Sequence, residues 1–195
     1  HMKRHLEHTL STPLTVELAQ TQDLDELLVV ARQAFTETYE PIGVKPAGIV
    51  RRYVEETFTR EWLLPQLGDY FVAKVGGKIV GFAGLDARTE VPVSVADSNA
   101  IYFSGLYLLQ GFQGLGLGRK FFEARSRHAL ARGFTSAWLS VWRLNAGAVE
   151  FHRRMGFEVV GEQEWRYEAD GETWICEDWV MRIRLDASSQ GSAFV

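Results

Sequence analysis

Between Tyr107 and Arg125 the chain reads YLLQGFQGLGLGRKFFEAR, with Gly114, Gly116 and Gly118 at alternate positions just ahead of a helical pattern. Glycine loses more backbone freedom on folding than any other residue, so three so close together need a reason. The first amides of a helix have no partners within it and carry a partial positive charge outward. A phosphate binds there through backbone N–H groups, provided no side chain holds it off. The run therefore suits a diphosphate cradle, with Arg119 and Lys120 adding charge beside it. The other reading is a glycine-rich turn packed tightly on a strand. Two common phosphate loops are excluded by residue type. GLGRKF lacks the Gly-Lys-Ser/Thr of a Walker A loop, so no hydroxyl is offered to magnesium. A dinucleotide fingerprint needs a third glycine where Phe121 stands, and an acid about 20 residues on, where TSAWLS has none.

These residues need a frame. TVELA, residues 15–19, alternates as a first strand. Asp23, with Glu26 three residues on, predicts a capping box that opens an amphipathic helix through LDELLVVARQAF. Pro46 suits the first turn of a second helix running to about Phe58. Thr59 caps a short third helix that Pro65 should disturb. YFVAKV and KIVGFAGLD flank Gly76-Gly77 and read as a hairpin. A polar loop over 88–99 leads into a strand over 100–109. The glycine helix runs to about Arg132 and closes at Gly133. SAWLSVW is a buried strand. Asn145 is a strong N-cap for AGAVEFHRRM, which Gly156 stops. A last hairpin turns at Asp170-Gly171. This order predicts an α/β (α+β) domain over residues 14–185, one mixed sheet with helices on both faces.

With 46% hydrophobic and 24% charged residues, the chain has the composition of a globular domain. A net charge of −4 disfavours a nucleic-acid partner and is compatible with a cationic substrate. The single cysteine, Cys176, allows no internal disulfide and fits a cytoplasmic setting; it reads as a packed thiol. No apolar run reaches the roughly 18 residues of a membrane span. The histidines and carboxylates show no metal-ligand spacing. The opening His-Met reads as a cloning scar within a leader over 1–13, where His5 and His8 have no expected role. Residues 186–195 read as a flexible tail.

QGLGLG, residues 113–118, fits the Gln/Arg-x-x-Gly-x-Gly/Ala signature of the GNAT N-acetyltransferases. LSVWRLNAGAVEFHRRMGFEVVGE resembles their second motif, with a strand, Asn145, a helix carrying Ala148 and the pair Phe151-His152, and Gly156-Phe157. The likeness covers most of residues 15–185. AFTETYEP, YVEETFTREWLLPQL, WLSVWRLNAGAVEFHRRMGF and EDWVMRIRL look like the PaiA-type spermidine/spermine acetyltransferases of bacteria. The resemblance implies a GNAT fold, its mixed and mostly antiparallel sheet opened between splayed parallel strands over 100–109 and 136–141. It implies acetyl-CoA as co-substrate and no metal. The pantetheine arm would pair with backbone of Leu106, Tyr107 and Leu108, where an N–H polarises the thioester carbonyl. The diphosphate would sit on Gln113, Gly114, Leu115, Gly116, Leu117, Gly118 and Arg119. Asn145 and Phe151 would line the far side. Arg154 either reaches the phosphates or belongs to a solvated helix face.

The implied reaction is direct transfer of the acetyl group to a primary amine, a small cationic acceptor such as a polyamine. An alkyl ammonium, with a pKa near about 10, must first lose a proton. Relatives often place a tyrosine beside the second-motif phenylalanine as acid; His152 stands there in this chain. Ala148, His152 and Met155 fall at i, i+4 and i+7 and form one inward stripe. A histidine is a weak proton reservoir above neutrality unless its neutral N–H tautomer donates. A core histidine, with water supplying the proton, is the other reading. The family's base is often a glutamate on the pantetheine strand, but YFSGLYL offers Ser104 and Gly105. Ser104 could hold a relaying water; Tyr102, Glu37 and Glu40 are the alternatives. Tyr39 belongs with Glu37, Glu40, Glu55 and Glu56 to the region that forms the acceptor rim in relatives, where the glutamates either bind a polycation or are charges on solvated faces. The last hairpin, with Trp165, Trp174 and Trp179, offers a homodimer contact. Two other functions stay open: a non-catalytic CoA-binding regulatory module, and a GNAT enzyme for a protein N-terminus, amino acid or aminoglycoside.

Overall fold

The turn at Gly76-Gly77 closes the hairpin the sequence predicts. Strands β2 (Tyr70–Val75) and β3 (Lys78–Gly84) pair antiparallel, with Val75 opposite Lys78. The structure, a computed structural model, describes residues 12–186. The cloning scar, His5, His8 and the tail from residue 187 lie outside them. Strand β1 (Leu14–Leu18) flanks β2, and β5 (Leu106–Leu108) flanks β3, giving one sheet of order β1-β2-β3-β5. A second four-stranded sheet, β4-β6-β8-β7, holds β4 (Ala100–Tyr102), β6 (Ser136–Trp142), β7 (Glu158–Ala169) and β8 (Glu172–Arg184).

The single strand expected over 100–109 is thus two short strands in two sheets. β4 runs parallel to β6, and the Phe103 N–H still bonds to Trp138 O at 2.8 Å. The chain then leaves that sheet and joins β3 through β5. Arg125 holds the break: its Nη1 donates to Ser104 O at 3.3 Å and to Gly84 O at 3.1 Å, so one buried side chain ties the bend to β3. The one mixed sheet expected is therefore split in two, between β5 of the first sheet and β4 of the second.

Among the described residues five α-helices cover the sheets: α1 (Leu24–Tyr39), α2 (Ile49–Thr57), the single turn α3 (Arg60–Leu63), α4 (Leu117–Ala131) and α5 (Ala146–Met155). On α1 the buried residues Leu24, Leu27, Leu28, Ala31 and Phe35 follow helical spacing, so one stripe meets the sheet. Successive β2 residues serve opposite cores. Val72 packs beneath α1 and α2 with Leu27, Ile49 and Val54. Phe71 and Ala73 pack beneath α4 with Phe121, Phe122 and Met181. Two cores on two faces follow from the period of two in a strand.

Several local expectations change. Asp23 and Glu26 form no capping box over α1. Asp23 is buried, accepts the Gln20 N–H at 2.8 Å and pairs with Lys74 Nζ at 3.0 Å. Glu26 instead accepts the Ile79 N–H at 2.8 Å across to β3. Pro46 precedes α2 by three residues, and the helix begins after Gly48. Thr59 does cap α3, accepting the Trp62 N–H at 3.2 Å, and Pro65 sits in the 3-10 turn that follows. Asn145 occupies the N-cap position of α5, yet its side chain makes no capping bond. Of the three tryptophans expected to offer a dimer contact, Trp174 is buried and meets Tyr39 and Tyr53, with ring centres 5.6 Å and 5.9 Å away, while Trp165 and Trp179 are half-buried. Among the described residues no helix is long and apolar enough to cross a membrane, and no group of three or more His, Cys, Asp or Glu could hold a metal ion.

Candidate active site

Two cavities open at the split between the sheets. The first is a groove of about 550 Å³ between β5, the glycine loop and α5. Gly114 and Gly116 both take φ of +78°, a left-handed backbone that other residues rarely adopt, and a Cβ on either would meet open space. Gly114, Gly116 and Gly118 all line the groove. Helix α4 starts directly after Gly116, and the Lys120 N–H bonds back to Gly116 O, so the preceding amides of Leu117, Gly118 and Arg119 are helix-start donors. Gly118 serves a different end. A Cβ there would lie 2.9 Å from the Phe151 ring, so its absence lets α4 and α5 close up. The tight packing expected of the glycine run is thus found at Gly118 alone, and its partner is a helix rather than a strand. Arg119 and Arg154 line the groove from opposite helices, and Leu115 points outward, 40% exposed.

The second cavity, about 240 Å³, lies beneath α1 and α2. Its walls are aromatic: Phe35, Tyr39 and Tyr53 from the helices, Trp142 from β6, Trp165 from β7 and Trp174 from β8. Phe35 and Tyr39 lie 4.5 Å apart centre to centre, and Trp165 meets Trp174 at 4.9 Å nearly at right angles. Tyr39 and Tyr107 share a hydrogen bond of 2.9 Å between their hydroxyls. Burial holds both phenols above their usual range, so they stay protonated. The two cavities share Leu106, Tyr107, Asn145, Ala148 and His152, which stand where the groove and the aromatic cavity meet.

Three titratable groups decide the electrostatics. His152 packs against Phe151 and Phe157, and burial, with the Arg125 charge second, pulls its pKa down to about 3. It is a neutral imidazole at physiological pH and holds one N–H. Arg125 lies 4.4 Å over the Phe103 ring. Burial works against its charge, yet a guanidinium remains protonated. Asp178 is 8% exposed on β8. Its Oδ2 accepts the Ser140 hydroxyl at 2.7 Å, and its Oδ1 has no partner. Burial, only partly opposed by the Ser140 bond, pushes this carboxyl up to about 6.

Residues 30–157 match the model of the acetyltransferase (GNAT) family. The chain belongs to the GNAT acetyltransferases. It is 29% identical over 162 residues to an uncharacterized N-acetyltransferase of Mycobacterium bovis, covering 82% of this chain and 96% of that one. Among solved structures it is similar to a PaiA N-acetyltransferase of Thermoplasma acidophilum in complex with coenzyme A, at a TM-score of 0.69 and 19% identity over 88% of this chain and 99% of that one. A putative acetyltransferase of Salmonella typhimurium with its cofactor acetyl-CoA shows the same fold, at a TM-score of 0.61 and 19% identity over 89% and 95% of the two chains. This GNAT enzyme is accordingly an N-acetyltransferase with acetyl-CoA as co-substrate.

The groove fits that co-substrate by the chemistry of its donors. Amides at a helix start, two left-handed glycines opening onto free space and two arginines suit a diphosphate. Gln113, Gly114, Gly116, Leu117, Gly118 and Arg119 all line it; Leu115 does not. Leu106, Tyr107, Leu108, Asn145, Phe151 and Arg154 line it as well. The acceptor-side expectations divide. Tyr39 and Tyr102 line the aromatic cavity, Tyr102 stacked 4.4 Å from Trp138. Ser104 does not line it. A Cβ on Gly84 would meet Ser104 Oγ at 2.2 Å, which puts that hydroxyl against β3. Glu37 Oε2 accepts the Gln110 N–H at 2.9 Å, and Glu40 pairs with Arg51 at 3.6 Å on the surface. Glu56 is engaged by Arg52 and the Tyr167 hydroxyl. The sequence reading missed Asp178, Arg125 and the aromatic walls. One signal was present: Asp178 is the acid among the apolar alternate positions Trp174, Cys176 and Val180 of a strand.

Proposed function

We propose that this acetyltransferase acts on a small primary amine that carries one ammonium group on an apolar body. The observation that supports it most is the aromatic cavity that opens onto the groove and has no carboxylate but Asp178 among the described residues lining it. Aromatic faces attract a cation, more strongly when water is excluded, and one carboxylate suits one ammonium. A polyamine, the acceptor that the PaiA likeness implies, carries further charges that would need further acids. Glu37, Glu40 and Glu56 have other partners, which speaks for the monoamine. The free, buried Cys176 supports a cytoplasmic setting.

In this reading the chain's residues divide the work. The amides of residues 113–119, with Arg119 and Arg154, bind the diphosphate, and the edge of β5 orients the arm. Bound acetyl-CoA supplies the acetyl group as an activated thioester. His152 holds an N–H at the meeting point of the two cavities, available as a proton donor. Arg125 keeps β4 and β5 apart, so the opening exists before any ligand enters. The test is release of free CoA from acetyl-CoA with a side-by-side panel of 2-phenylethylamine, spermidine, an amino acid, an aminoglycoside and a peptide. The expected order puts 2-phenylethylamine first. Binding of acetyl-CoA without turnover on any amine would contradict the reading and favour a regulatory module.

A further inference from the structure

We propose that Asp178 is the residue that receives the acceptor's ammonium and takes its proton before acetyl transfer. The proposal rests on the small-amine reading of the aromatic cavity and names the group within it that does the work. The pantetheine strand brings no carboxylate, and Ser104 turns away toward β3. Asp178 arrives from the opposite wall, on β8, paired across the ladder with Gln163 of β7.

The argument is geometric first. A carboxylate oxygen buried without a partner is costly, because it gives up water and receives nothing in return. Oδ1 is such an oxygen, while Oδ2 accepts the Ser140 hydroxyl, so the carboxyl is held with one buried oxygen unpartnered. It lines a cavity walled by tyrosine and tryptophan rings, which favour a cation there. An ammonium group would satisfy the unpartnered oxygen, and among the described residues no other carboxylate lines the cavity to receive one.

The remaining titratable groups leave the part to Asp178. Burial raises the pKa of Tyr39 from α1, Tyr53 from α2, Tyr102 from β4 and Tyr107 from β5, so all four are neutral and protonated. Cys176, two residues away on β8, is pushed up to about 12 by burial and the Asp178 charge. His152 of α5 is neutral, and Arg125 of α4 is occupied with two backbone carbonyls. The elevated pKa of Asp178 leaves it ionised at neutral pH, yet far more basic than an exposed aspartate. Desolvation lowers the pKa of the incoming ammonium as it raises that of the carboxyl, which narrows the gap between them. In the step itself an N–H bond of the ammonium breaks. The proton goes to Oδ1, the electron pair stays on nitrogen, and a neutral carboxylic acid faces a neutral, nucleophilic amine.

The test uses the full chain saturated with CoA, with 2-phenylethylamine and the uncharged 2-phenylethanol as probes. Asp178→Asn keeps the shape and the bond from Ser140. By calorimetry it should bind 2-phenylethylamine at least about tenfold more weakly and leave 2-phenylethanol unchanged. With acetyl-CoA its kcat/KM for the amine should fall about 100-fold or more, in the range of a lost general base. The wild-type pH profile of kcat/KM should show an acid limb near pH 6. Ser140→Ala should move that limb to higher pH, because the carboxylate loses its donor. Wild-type affinity and an unshifted acid limb in both variants would overturn the assignment while leaving the acetyltransferase reading intact. Failure of the wild type to acetylate any amine would remove the small-amine reading and the assignment with it.

Discussion

The groove beside α4 and the cavity beneath α1 share five residues yet are made of different material. The groove is formed almost wholly by residues 106–119 and 145–155, and what it offers a ligand is largely backbone: a strand edge, two left-handed glycines and the first amides of a helix. The cavity gathers side chains from Phe35 on α1 to Asp178 on β8, with contributions from all the helices but α3 and from β4 through β8. Backbone recognition requires particular residues at fixed spacing in one stretch, so it leaves a motif. Side-chain recognition needs only that distant residues arrive at one place, so each can be replaced separately and no motif forms. The same division fits the chemistry, since the co-substrate is common to the family and the acceptor is not.

The strongest way to break the comparison is to remove the piece both regions depend on. Arg125→Ala leaves the Gly84 and Ser104 carbonyls without their donor and opens a void against Phe103. A stability loss of about 3 kcal/mol is expected from the unpaired acceptors and the cavity together. Denaturant unfolding reads it, and a loss near zero would mean that the split between the sheets holds without this side chain.

Changes at the meeting point should touch chemistry and spare co-substrate affinity. His152→Phe should lower kcat by about 100-fold, the low end for a lost proton donor, with the CoA dissociation constant unchanged. It should also alter acid stability. The folded pKa of His152 is depressed to about 3, so the unfolded chain takes a proton below about pH 6.5 that the folded chain refuses. Stability is therefore lost as pH falls from about 6.5 toward 3, and the phenylalanine variant should lose less over that window in pH-dependent melts.

The two regions should then come apart in binding experiments. Gly118→Leu forces a side chain into the Phe151 ring and spreads α4 from α5. Overpacking of this kind costs roughly 1–3 kcal/mol. CoA affinity should fall about tenfold, while 2-phenylethylamine affinity in calorimetry stays at the wild-type value. An equal loss of both would show that the two cavities are one cooperative site.

The smallest effect is on stability at Asp178. Its folded pKa is raised, so the ionised carboxyl is a burden above about pH 6 that disappears below the unfolded pKa of about 4. Asp178→Asn should therefore raise the melting temperature by roughly 3 °C at pH 7 and leave it unchanged at pH 4. A functional group that lowers stability in its absence of ligand is what an acceptor-binding carboxylate predicts.

What could be read from the chain follows the same line between local and distant contacts. The hairpin at Gly76-Gly77, the stop at Gly156 and the helix that opens directly after Gly116 depend on neighbours in sequence, and the structure has all three. The box expected from Asp23 and Glu26 fails because Asp23 closes a box one turn earlier, on the Gln20 N–H, and Glu26 is drawn to the Ile79 amide 53 residues away. The one local mark of the break in the strand over 100–109 is Gly105, which takes a φ of +31° between β4 and β5; the tie that holds the bend comes from Arg125, 21 residues beyond Ser104. The tryptophans of the last hairpin look alike in sequence, and the fold separates them: Tyr39, Tyr53 and Phe35 pack on Trp174, Tyr53 meets Trp165, and Trp179 faces Arg143.

A crystal structure of the wild-type chain with CoA and 2-phenylethylamine is the most direct measurement. It should show the diphosphate on the amides of Gly114 to Arg119, the sulfur end beside His152 and Asn145, and the amine nitrogen within hydrogen-bond distance of Asp178 Oδ1. A diphosphate bound away from the glycine loop, or an amine seated outside the aromatic cavity, would contradict this account.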